Sequence, residues 1–291
     1  MERLEQKANP IGIFANTFDA PDFEGILDAV KAHGLATIEL NLSVLGVAKL
    51  AGTDTLPRED LVVDSLTDKV RDACRERGVK VASLAAYFNM IHPDKKQREA
   101  GLRQLEPLMK LAKALDIKLL ALCTGTRDPD NMWHYHPANN DPEAHRALRH
   151  SLGEALAMAE AYDRVLAFEP EVNLVISSPK EARNLLDDMA SPRLKVVFDP
   201  ANIFPAGGLN HMHQLMTEAV DLLGKDIVLA HAKDILQDGQ AGDVAAGKGK
   251  LDYGHYMNLL RDIGFGGAIL LHGLREDEVA GSLRHLKNHM S

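Results

Sequence analysis

Residues 165–171 read VLAFEPE, residues 195–201 KVVFDPA, residues 227–234 IVLAHAKD and residues 268–273 AILLHG. Each is a short apolar run that meets an ionisable residue at its end: Glu169, Asp199, His231 and His272. Side chains that are apolar at consecutive positions, rather than at alternate ones, mark strands covered on both faces, as in a parallel sheet wrapped by helices. Upstream, IGIFAN (11–16), TIEL (37–40), VKVASLAAY (79–87) and KLLALCTG (118–125) read the same way. Amphipathic stretches separate them and predict helices at 22–33, 66–77, 96–115, 143–162, 179–189, 210–223, 253–263 and 277–289. Asp22 and Asp141 stand where helices start, Pro142 and Pro179 fall in first turns, and Gly34, Gly78 and Gly224 stand where helices should stop. Eight strand-helix units predict a single-domain α/β fold over residues 1–291, a (β/α)8 TIM barrel. An open doubly wound sheet is the alternative. It lacks its glycine-rich phosphate fingerprint, because FANTFDAP follows the first strand.

Composition narrows the function classes. The 291 residues are 45% hydrophobic and 26% charged, the balance of an ordinary folded chain. A formal net charge of -9 repels phosphate backbones, so nucleic acid is not an expected partner. No run approaches the roughly 18 apolar residues of a membrane span, so no membrane partner is expected either. Cys74 and Cys123 are too few for a disulfide scaffold, and MERLEQKANP lacks the apolar stretch of a secretory leader. The expected setting is cytoplasmic. Barrels of this size often form homo-oligomers, but the sequence displays no readable interface.

In such a barrel the active site is built from strand C-termini and the loops that follow them. An acid or a His at one strand end is commonly a cap or an ion-pair partner. Four of them at equivalent points of successive units predict a shared centre. Two carboxylates and two imidazoles suit one divalent ion, Mn²⁺, Co²⁺, Zn²⁺ or Fe²⁺, with Mg²⁺ less suited as imidazoles accumulate. Glu169 is the expected base, and His92, in NMIHPD after the third strand, is a second candidate for proton transfer. Lys233 reads either as a contact to substrate oxygens or as half of an outward pair with Asp234. Asn202 can hydrogen-bond a hydroxyl. Trp133 and His136, in the loop after the fourth strand, are candidates for covering a bound ligand. Gly247 and Gly249 predict a turn over the site rather than a phosphate loop.

The segments FEPE, FDPAN, HAKD and GKGKLDY, with GFGGAILLHG, resemble the sugar isomerase and epimerase superfamily with xylose-isomerase-like barrels. The resemblance extends over most of the chain. It implies that Glu169, Asp199 and His231 hold one divalent ion with a fourth ligand from the last strand. That ligand is normally Glu and here is His272. In the epimerases of that group, two ligand glutamates are thought to shuttle the proton on either side of the substrate carbon. A metal-bound imidazole has no second lone pair with which to take a proton. The ion is also balanced by two negative charges instead of three, which strengthens it as a Lewis acid.

The resemblance therefore implies a metal-dependent isomerase or epimerase of a small sugar or sugar-like substrate, acting by proton abstraction beside a carbonyl. A lyase or dehydratase acting on a keto-sugar or its glycoside is the alternative, and a non-catalytic sugar-binding barrel is a further one. An endonuclease IV-like phosphodiesterase needs extra ligands at positions that are Asn202 and Gly254 here.

Overall fold

The computed structural model describes residues 9–46 and 63–290. Residues 1–8, which carry most of the segment read for a leader, lie outside them. The strands are β1 (Ile11–Phe14), β2 (Thr37–Leu40), β3 (Lys80–Ala85), β4 (Leu119–Cys123), β5 (Val165–Glu169), β6 (Leu194–Phe198), β7 (Ile227–Asp234), β8 (Val244–Ala245) and β9 (Ile269–Leu271). Parallel pairing runs from β1 through β7 in order, then to β9 and back to β1, which closes an eight-stranded barrel. The helices among the described residues are α1 (Phe23–Ala32), α2 (Val63–Arg77), α3 (Lys95–Ala114), α4 (Pro142–Tyr162), α5 (Pro179–Met189), α6 (Met212–Leu223), α7 (Tyr253–Asp262) and α8 (Glu276–Met290).

The predicted units all form, and their boundaries have local causes. Asp22 caps α1 by accepting from the Gly25 amide at 2.8 Å. Gly34 and Gly78 stop α1 and α2 with φ of +73° and +62°, the left-handed region where a Cβ is strained. One local expectation needs correction. Asp141 holds the cap position of α4 but its side chain makes no capping bond. Gly224 has φ −51° and carries α6 into a short 3-10 turn, so it ends that helix without a left-handed residue. The two-residue β8 was not foreseen; it pairs antiparallel with Lys233 and Asp234 at the end of β7.

Side chains alternate across each strand, and the barrel sorts them into two cores. Ile38, Leu40, Leu120, Leu122, Leu166, Phe168, Val196, Phe198, Ala230 and Ala232 pack outward against helices. Phe14, Leu119, Ala121, Ala167, Val197, Leu229 and Leu270 form a second cluster with no helical member, the filling of the barrel itself. That inward phase continues to the C-terminal strand ends. After Ala167 comes Glu169, after Val197 Asp199, after Leu229 His231 and Lys233, and after Leu270 His272. Period two thus delivers ionisable groups to the mouth of an otherwise apolar lumen.

Candidate metal centre at the barrel mouth

Asp199, His231 and His272 each offer a ligand atom within 4.8 Å of the others. Glu169 borders this triad, with its Oε2 3.5 Å from His231 Nδ1. Asp199 Oδ2 lies 3.9 Å from the same nitrogen, while Oδ1 accepts the Ala201 amide at 2.9 Å. Phe14 packs between the imidazoles' other sides: its ring stacks on His272 at 4.0 Å and meets His231 edge-on at 5.1 Å.

The donors fit a cation. Asp199 Oδ2, both nitrogens of His231 and Nδ1 of His272 are buried without a hydrogen-bond partner. Buried polar atoms are rarely left so, because an unmade bond costs on the order of 1–3 kcal/mol each. Oxygen and imidazole donors converging on one point are the set that borderline divalent ions take.

Burial pushes Glu169 up, but His231, Lys233 and the Asn202 amide outweigh it and hold its carboxyl below the usual range. Burial raises Asp199, the Glu169 charge adds to it, and Lys233 and His231 only partly offset them. His231 is fully buried, yet the carboxylates of Glu169, Glu39 and Asp199 keep its imidazolium favoured in the ion-free site. His272 is the opposite case. Burial, then the positive charges of Lys233 and His231, holds it well below the usual histidine range, so it is a neutral imidazole.

Lys233 turns inward instead of forming a surface pair with Asp234. Its Nζ lies 3.3 Å from Asp199 Oδ2, and its stem passes Gly273, where a Cβ would come within 2.9 Å of Lys233 Cδ. Asp234 is buried and accepts the amides of Ile235, Gly247 and Leu251, which moors the glycine-containing loop to the end of β7. Gly247 and Gly249 are thus part of a tethered loop. From α7, Tyr253 Oη donates to the Lys233 carbonyl at 2.9 Å and Tyr256 Oη to the His231 carbonyl at 3.0 Å. These two tyrosines brace the strand that carries the centre.

Other expected site residues sit differently. Asn202 spends its amide Nδ2 on Glu169 Oε1, at 2.6 Å, and so orients the carboxylate rather than presenting that group to a hydroxyl. His92 does not join the centre. Its Nδ1 accepts the Asp94 amide and its Nε2 meets the Pro129 carbonyl, so both ring nitrogens are engaged by backbone. His136 uses Nδ1 to accept the Ala138 amide at the start of a 3-10 turn. Trp133 is 41% exposed and lies edge-on to Tyr87 at 5.7 Å, with its carbonyl bonded by the Asn173 side chain.

Two buried carboxyls at the mouth were missed. Glu39, on β2, accepts from Ser83 Oγ at 2.6 Å and from Tyr87 Oη at 2.8 Å. Its signal is an acid inside the short strand TIEL, on the inward phase. Glu171, in FEPE, is pushed up to about 8 by burial, with the Glu169 and Asp199 charges adding to the rise.

This closed barrel, with its polar residues gathered at the strand C-termini, has the architecture of a TIM-barrel active site. The chain belongs to the xylose isomerase-like TIM barrel family, whose family model matches residues 27–289. Solved structures share the fold at low identity. A D-tagatose 3-epimerase-like protein is 15% identical, with a TM-score of 0.74 over 97% of both chains. The 3-keto-D-glucoside 4-epimerase YcjR from E. coli is 15% identical, with a TM-score of 0.73 over 96% of this chain and 99% of its own. The IOLI protein with a binding zinc atom is 17% identical, with a TM-score of 0.69 over 97% and 98%. No curated protein matches the chain in sequence. Among the described residues, no helix is long and apolar enough to cross a membrane.

Proposed function

We propose that the protein is a divalent-metal-dependent isomerase or epimerase of a small sugar, acting by proton abstraction beside a carbonyl. The observation that carries this reading is the convergence of Asp199, His231 and His272 with partnerless buried donor atoms, and Glu169 beside them. Two imidazoles and a carboxylate favour Mn²⁺, Co²⁺, Zn²⁺ or Fe²⁺ over Mg²⁺. When bound, such an ion supplies Lewis acidity toward the substrate carbonyl.

Glu169 is the base. Its depressed carboxyl is ionised at neutral pH, and Asn202 fixes Oε1 so that Oε2 faces the centre. The engagement of both His92 nitrogens by backbone supports leaving it out of proton transfer. Lys233 keeps its ammonium beside Asp199, where it can also donate to a substrate oxygen. Trp133 and His136 stand in the loop after β4, with Trp133 against Tyr87, and supply an apolar edge for a sugar ring.

A lyase reading is favoured by one observation, the replacement of a last-strand carboxylate by the neutral His272. With one carboxylate base, removal of a proton followed by loss of a β-hydroxyl needs no second base. The test is incubation of metal-loaded protein with keto-sugars and their glycosides in deuterium oxide. Deuterium beside the carbonyl together with a new isomer is the expected result, and a dehydrated product without isomer would favour the lyase. No incorporation into any of them by a fully loaded protein would contradict both.

A further inference from the structure

The rim beyond β3 and β4 gathers positive charge that its surroundings leave unbalanced. The loops after these strands are knitted together. Asn89 Nδ2 donates to the Thr126 carbonyl at 2.8 Å, its Oδ1 accepts the Thr126 amide at 3.0 Å, and His92 Nε2 meets the Pro129 carbonyl at 3.1 Å. Two arginines close on the turn that follows Asn89. Arg127 Nη1 donates to the Ile91 carbonyl at 3.1 Å, and Arg98 Nη1, from the first turn of α3, donates to the carbonyls of His92 and Pro93. Three consecutive carbonyls thus bring both guanidiniums to one place.

Like charges held close repel. Among the described residues neither arginine has a carboxylate partner, and the nearby acids are engaged elsewhere. Glu99 pairs with Lys95 at 3.2 Å and Glu143 with Arg146 at 2.6 Å, while Asp94 accepts the Lys96 amide and Asp128 the amides of Asp130 and Asn131. Burial and then the Arg98 charge hold the Arg127 guanidinium below the usual arginine range, and Glu143 and Asp141 offset them only in part. Arg77 and Arg193, each bonded to a carboxylate, are held above that range. On both rim arginines the backbone engages Nη1 and fixes the plane of the group. The opposite edge, Nε with Nη2, is the planar fork that takes two oxygens of a carboxylate or phosphate.

We propose that Arg98 and Arg127 form an anion site on the rim that takes a phosphate group, free or as the ester of a sugar. Two unbalanced positive charges match the charge of roughly −1.5 to −2 that a phosphate carries near neutral pH, where a carboxylate supplies only one. The site follows strand C-termini and so lies on the same face of the barrel as Asp199, His231 and His272, yet neither arginine bonds to that triad. Its failure would leave the metal reading untouched.

The test is calorimetric titration of the full chain with inorganic phosphate at low ionic strength, alongside thermal unfolding with and without phosphate. One phosphate bound per chain is expected, with the unfolding midpoint raised by mass action. Arg127→Met keeps the apolar stem and removes the fork. It is expected to lose about 10–100-fold in phosphate affinity, the worth of one strong charge-assisted hydrogen bond, and Arg98→Met a similar amount. If Arg127→Met does not fold, Arg98→Met decides by the same measure. Phosphate bound by these variants as tightly as by the parent would overturn the site, and so would a parent chain that binds none at roughly 10 mM. Glucose 6-phosphate separates the two sources. An affinity about tenfold or more above that of inorganic phosphate, lost in Arg127→Met, assigns the group to a sugar ester. Equal affinity, lost in the same variant, assigns it to the free anion, and either result supports the site.

Discussion

The lower and upper parts of the barrel lumen are built by the same strands in the same phase, yet they do opposite work. Below, Leu119, Ala121, Ala167, Val197, Leu229 and Leu270 close the interior with carbon. One step of two residues further along β5, β6, β7 and β9, the same face presents Glu169, Asp199, His231 and His272. Glu169, Asp199 and His231 are as buried as the apolar layer and His272 is half-buried, so what distinguishes the zones is chiefly satisfaction. The lower side chains meet like neighbours, whereas four donor atoms of the upper triad make no hydrogen bond. The difference teaches that strand periodicity alone positions a reactive centre, and that the stability of the apolar layer offsets the cost of the polar one above it.

Substitutions that separate the two zones test this division. The largest expected effect is at Glu169. Glu169→Gln should lower turnover by about 10²–10⁴-fold, the worth of a general base, while the unfolding midpoint stays near the parent's. Leu270→Ala, one strand step below His272, should do the reverse. It should cost about 2–5 kcal/mol in denaturant unfolding, with zinc affinity held within a small factor. A variant at either level that moved both readouts equally would erase the distinction.

A smaller effect is expected where charge crosses the centre. The Lys233 ammonium sits 3.3 Å from the Asp199 oxygen that a cation would use, so it competes for that ligand. Lys233→Met should tighten zinc binding about tenfold, or roughly 1.4 kcal/mol at 25 °C. Weaker binding in that variant would mean that Lys233 only holds Asp199 in place.

The smallest effect concerns pH. Glu171 has its folded value raised from 4.5 to about 8. Between those values the native chain keeps a proton that the unfolded chain has released, so this group makes stability fall as pH rises through the window. Above it, both states are ionised and the full penalty remains. Relaxation around a buried charge reduces that penalty, so Glu171→Gln should gain on the order of 1–2 kcal/mol at pH 9 and nothing at pH 4. Parallel stability curves for the two proteins across pH 4–9 would contradict this.

The fold was legible because each strand is an apolar run and each helix carries its own punctuation. β8 was not, since Val244 and Ala245 are too few to show a pattern. The four strand-end residues were legible as interruptions of those runs. Glu39 escaped because in TIEL its significance depends on which face of a four-residue strand looks inward. The roles of Asn202 and His92 depend on partners distant in sequence. Glu169 stands 33 residues from Asn202, and the Pro129 carbonyl 37 residues from His92. No local pattern encodes such meetings.

Anomalous diffraction at the zinc edge, from crystals of zinc-loaded protein, tests the central claim most directly. A single peak about 2.0–2.2 Å from a carboxylate oxygen of Asp199 and one ring nitrogen each of His231 and His272 is the expected result. A loaded protein with its zinc elsewhere, and those three side chains unligated, would contradict the account.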